Sequence, residues 1–74
     1  MNIRHLVSMA NDISAFFNAE VGEQEAHKSV ALHISRYWDP RMRAKIIAYA
    51  AGGGAQLTAS ALAAVRTLPP PPIR

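Results

Sequence analysis

The stretch "RYWDPRMR", residues 36–43, decides how the chain is laid out. Two aromatics, Tyr37 and Trp38, run into Asp39–Pro40, and Arg41 and Arg43 follow at once. Proline disfavours helical geometry in the residue before it, so a helix arriving through the aromatics ends at Asp39. Asp39 then reads as an N-cap and Pro40 as the first residue of a new helix, a position with no use for the missing N–H. The corner also holds the only tryptophan and three of the eight basic residues. Four roles suit such a concentration: an active site, a nucleic-acid grip, a core anchor, or a surface made for another protein.

Upstream of the corner a helix is expected over about 23–38, with its acids early and Arg36 late, the order that complements the helix dipole. Val30, Ala31, Ile34, Tyr37 and Trp38 share its apolar face, onto which His27 also projects; Leu32 lies opposite, among Glu25, Lys28 and Arg36. Further back, Ile3, Leu6, Val7, Ala10, Ile13 and Phe17 form the stripe of a first helix, about 2–19. Asn2 is its N-cap, Gly22 closes it or lies in the loop after it, and Met9 and Phe16 widen its apolar arc. Downstream, a third helix over about 40–51 carries Met42, Ile46, Tyr49 and Ala50 and stops at Gly52, Gly53 and Gly54, residues suited to left-handed positions past a helix end. Thr58 is the candidate cap of a last helix, about 58–68, on which Leu57, Ala61, Val65 and Leu68 align, with Leu62 at the edge. "PPPPIR" then cannot continue a helix and reads as a flexible proline tail, 69–74. The expected architecture is all-α: one domain, 1–68, built as a small bundle of three to four short helices.

With 74 residues the chain buries a modest share of its surface, so its stability calls for outside support. It has no cysteine, and His5, His27 and His33 do not fall at a metal-binding spacing. A partner subunit is the support that remains. A net charge of +3 is only mildly basic. The N-terminus lacks the apolar core and cleavage site of a signal peptide, and no run approaches the ~18 apolar residues of a membrane span. A soluble, cytoplasmic protein with no membrane partner is expected.

Catalysis needs a nucleophile–base pair, paired carboxylates, a metal cluster or a phosphate cradle, and none is visible. Asp12, Glu20, Glu23, Glu25 and Asp39 are scattered, and the glycine triplet lacks the lysine and hydroxyl of a phosphate loop. The chain reads as non-catalytic, with no cofactor or metal of its own. Nucleic-acid binding is the alternative, since Arg36, Arg41, Arg43 and Lys45 are interleaved with Tyr37 and Trp38. Helical projection divides those cations, however: Arg41 and Lys45 point away from the apolar face while Arg43 falls within it. The reading without nucleic acid explains more. Trp38, Arg43, Arg41, Met42, Arg36, Leu32, Phe16 and Met9 are the candidate partner-contact residues, being hot-spot types or apolar groups outside a single core stripe. Asp39, Pro40, Gly52, Gly53, Gly54 and Thr58 are the candidate turn and cap residues, and Asp39 stands where it can pair with Arg43 at i,i+4.

The segments "HLVSMANDISAFF" (5–17), "AEVGEQEAHKSVALHISRYWDPRMRAKI" (19–46) and "GGGAQLTASALAAVRTL" (52–68) resemble, in that order, the small delta subunit of the molybdenum-dependent, NAD-linked formate dehydrogenase of bacteria. The most specific element is the "MAN" and "FF" of the first helix followed by "YWDPRMR". Ser35 departs from the family's H-x-R-R-F-W pattern, which has a second basic residue there and phenylalanine at the place of Tyr37. The resemblance implies an accessory subunit of an oxidoreductase complex. In that family the alpha subunit carries a bis-guanine-dinucleotide molybdenum cofactor and iron–sulfur clusters, and the beta subunit carries flavin and the NAD site. It further implies that this chain binds the alpha subunit, alongside beta and gamma subunits, and supports its assembly, cofactor insertion or stability.

Overall fold

Asn2 begins the first helix as a side-chain cap, its Oδ1 accepting the Arg4 N–H at 2.9 Å. The computed structural model describes residues 2–71, and within them four helices follow one another: α1 (Ile3–Val21), α2 (Glu23–Tyr37), α3 (Pro40–Ala51) and α4 (Ala59–Thr67). The fold is all-α. Gly22 alone separates α1 from α2, with φ 86° and ψ 156°, a backbone conformation that glycine tolerates and other residues resist. Its N–H caps Asn18 O while its own carbonyl accepts from Glu25 and Ala26, so one residue closes a helix and opens the next.

The corner after α2 forms as its residues dictate. Asp39 Oδ1 accepts the Met42 N–H at 2.9 Å and Pro40 starts α3. A cap of this kind is worth about 1 kcal/mol. Trp38, placed inside the helix by periodicity, instead lies just past its end with φ −87° and ψ 137°. Leu68 does the same after α4, with φ −70° and ψ 133°. In both cases an extended residue just past the helix end, two places before Pro40 or one before Pro69, turns its side chain into the core. Arg43 does not pair with Asp39: its Nη1 donates to the Trp38 carbonyl, and Lys28–Glu25 is the ion pair among the described residues. The Asp39 carboxylate is committed to the Met42 N–H, and the carbonyl left without a helical partner where α2 breaks takes the half-buried guanidinium instead.

The glycine triplet divides its work. Gly52, at φ −86°, is not left-handed; Gly53 (φ 120°) and Gly54 (φ 65°) are. Gly54 is buried as well, and a Cβ there would stand 2.6 Å from Leu62 Cδ1. Thr58 occupies the N-cap position of α4, but its side chain makes no cap bond. Its hydroxyl donates to Ser14 Oγ at 3.2 Å, and its N–H donates to Asn11 Oδ1 at 2.9 Å. Asn11 Nδ2 also donates to the carbonyl of Gln56, a non-glycine residue at φ 72°, and Ser60 Oγ donates to Asn18 Oδ1. A polar stripe on α1, Asn11–Ser14–Asn18, thus clasps the loop and first turn of α4.

Most of the buried residues run in steps of four: Leu6–Ala10–Ser14, with Val7 beside Leu6, Ala26–Val30–Ile34–Trp38, Ile46–Ala50–Gly54, and Ser60–Ala64–Leu68 beside Ala61–Val65. Such rows are the ridges by which helices interlock, and the alanines among them let backbones approach closely. α4 rests on α1, α2 and α3 together, filling the space between α2 and α3. Tyr37 is one step off the four-residue row and lies outside the core, 72% exposed, where periodicity had placed it inside. Pro69 to Pro71 have no regular secondary structure, and the remainder of the expected tail, 72–74, lies outside the described residues.

Candidate partner-docking groove

α1 and α2 form an antiparallel hairpin, since rising numbers on one meet falling numbers on the other: Met9 lies by Trp38, and Phe17 by His33 and Ser29. One side of this hairpin is sealed by α4 through the Asn11–Ser14–Asn18 stripe. About 60–100° round α1 from Ser14, Ile13 and Phe17 lie half-buried between the two helices. Here three adjoining shallow depressions make up the groove: one of 380 Å³ among Met9, Ile13, Trp38 and Met42, one among Asp12, Phe16 and Phe17, and one among Phe17, Leu32 and Arg36; His33 borders all three.

An aromatic ladder crosses the groove. Phe16 and Phe17 meet edge-on at 5.0 Å between ring centroids, Phe17 and His33 at 6.2 Å, and His33 and Tyr37 at 4.8 Å. Phe16 is 59% exposed and Leu32 52%, so with Tyr37 they form apolar ridges open to solvent. Single exposed apolar residues mean little, but a contiguous set is a candidate interaction surface.

The candidate contact residues divide on this frame. Met9, Phe16, Leu32, Arg36, Trp38 and Met42 all border the groove. Trp38, at 4% exposure, is a member of the core that shows only an edge at the groove floor. Arg41 is exposed but outside the lining, and Arg43 is turned inward to the Trp38 carbonyl. The cations of the corner therefore do not converge on one track. Sequence reasoning passed over His33 and assigned Tyr37 to the core. The signal available was the i,i+4 pair of rings His33–Tyr37, in a row on α2 parallel to Val30–Ile34–Trp38.

Among the described residues no group of three histidines or acids is gathered as a metal site, and no helix is long and apolar enough to cross a membrane. The geometry offers shape and apolar surface, with Arg36 and Asp12 at its edges. Such features define a small all-helical domain with an exposed apolar face along α1 and α2. The family model described as NADH-dependent formate dehydrogenase delta subunit FdsD matches residues 5–65. The chain belongs to that family, the delta subunits of a formate dehydrogenase complex. No curated protein and no solved structure matches it.

Proposed function

We propose that the chain is a non-catalytic subunit that docks, through the α1–α2 groove, on the large molybdenum-bearing subunit of the formate dehydrogenase and stabilises it during assembly or cofactor insertion. The complex works in the cytoplasm. The molybdenum cofactor, iron–sulfur clusters, flavin and NAD site belong to the alpha and beta subunits, and this chain binds none of them. The carrying observation is the exposed Phe16–Leu32–Tyr37 face on a delta-family chain. A phenylalanine presents roughly 150 Å² or more, so covering the open part of Phe16 is worth about 2 kcal/mol. That is the scale of an interface hot spot.

Co-expression with the large subunit, followed by affinity pull-down, tests the reading. The wild-type chain is retained, and Leu32→Asp, which places a charge on the groove wall without touching the core, is lost. Retention of Leu32→Asp at the wild-type level refutes docking through this face. Formate-dependent reduction of NAD by the purified chain alone refutes the non-catalytic assignment.

A further inference from the structure

We infer that Met9 and Met42 form an oxidation site beside the α2–α3 corner, where a peroxide converts the thioethers to sulfoxides and reversibly loosens the packing over Trp38. This goes beyond the docking reading and does not depend on it.

The two methionines stand on different helices, Met9 on α1 and Met42 in the first turn of α3. The fold brings both to one depression of 380 Å³, which Ile13 and Trp38 also line. Each is half-buried and packed against the core, and the depression that they share is open to solvent. Trp38 keeps only 4% of its surface exposed there. A peroxide is far smaller than the depression, so it reaches the pair without unfolding the chain. With no cysteine in the sequence, thioethers are the most readily oxidised groups the chain offers.

The reaction with hydrogen peroxide balances without any other reagent. The thioether sulfur attacks one peroxide oxygen and gives up two electrons; an S–O bond forms and the O–O bond breaks. The second oxygen leaves as water, taking the proton of the first. A flexible apolar side chain has then become a polar one. The new oxygen needs hydrogen bonds that Ile13 and the core beneath it do not supply. Water and the donors that border the depression, His33 and the exposed Tyr37, draw it outward instead. The seat that α1 and α3 share beside Trp38 is thereby emptied from both sides.

The test treats the full chain with hydrogen peroxide and follows methyl-13C-methionine by NMR, which separates each thioether methyl from its sulfoxide. Met9→Leu and Met42→Leu, exchanges that keep volume and leave the fold in place, assign the signals. Both thioethers should convert in the folded chain at rates within about tenfold of free methionine, as their exposure dictates. Trp38 is the only tryptophan, so its fluorescence reports the corner directly. Its emission should move to longer wavelength as water reaches the indole, and the melting temperature should fall by about 4 °C or more. Methionine sulfoxide reductases acting on the two epimers should reverse both changes. The chain carrying both substitutions should show neither. Conversion that waits on unfolding overturns the inference, as does conversion with emission and melting unchanged. So does a change that reduction leaves in place, or one that the doubly substituted chain shows equally.

Discussion

Replacing Asn11 by alanine isolates the clasp that seats α4. The change deletes two hydrogen bonds, Asn11 Nδ2 to Gln56 O at 2.8 Å and Thr58 N–H to Asn11 Oδ1 at 2.9 Å. Each is worth about 0.5–1.5 kcal/mol net, and both lie where water can reach, so the lower half of that range applies. Gln56 sits at φ 72°, which costs a non-glycine residue roughly 1 kcal/mol, and the freed loop recovers part of that strain. The net loss is about 1 kcal/mol. For a domain of this size that lowers the melting temperature by roughly 4–8 °C. The local effect is larger in kind, because α4 has nine residues and cannot persist as a helix unless it is docked. Thermal melting by circular dichroism reads the first effect. Native-state hydrogen exchange reads the second, with the amides of Leu62 to Val65 exchanging several-fold faster while those of α2 change less. Asn18→Ala, which removes the single bond to Ser60 at 2.8 Å, should show about half the shift. An Asn11→Ala chain that melts within about 1 °C of wild type, with α4 protection unchanged, would refute the clasp as a source of stability.

Gly54→Ala combines a left-handed φ with a Cβ 2.6 Å from Leu62 Cδ1, and the flexible leucine gives way in part; a loss of about 1–3 kcal/mol is expected by urea unfolding. Trp38→Ala empties a core position and costs about 3–5 kcal/mol, a large part of the roughly 4–11 kcal/mol available to a chain of this length. Its far-UV signal at 37 °C should fall well below that of Leu32→Ala, which leaves the core untouched. Arg43→Ala strips the Trp38 carbonyl of its charged donor and should cost about 1–2 kcal/mol in the isolated chain, with Arg43→Lys recovering part. An isolated Arg43→Ala chain as stable as wild type would return Arg43 to the list of direct partner contacts.

These outcomes bear on how the docking face should be probed. The "RYWDPRMR" corner draws attention because its residue types are those of interfaces, yet Trp38 and Arg43 are spent holding the corner together. Loss of binding on mutating either would report unfolding as readily as a lost contact. The residues that offer area without structural duty are Phe16, Leu32 and Tyr37. Met9, Phe16 and Leu32 were visible in the sequence as apolar side chains outside a core stripe, because an apolar residue on a polar face is a local anomaly. His33 and Tyr37 were not, because a ring at helical spacing looks the same whether its face meets a neighbouring helix or solvent.

The chain by itself determined its helices and their breaks. Asn2, Gly22, Asp39–Pro40 and the glycine triplet act within about one turn of themselves, through caps and backbone preferences that need no distant partner. It also determined the family, whose match spans residues 5–65. Tertiary structure decided which rows of each helix close on one another and which remain open as the groove. Periodicity admits steps of three and four alike; the packing of the four helices buries chiefly the fours, with Trp38 in the core and Tyr37 outside. The clasp belongs to the same class. Asn11, Ser14 and Asn18 look like ordinary polar residues on an amphipathic helix because their partners lie 42 to 47 residues away in the chain, beyond the reach of any local rule.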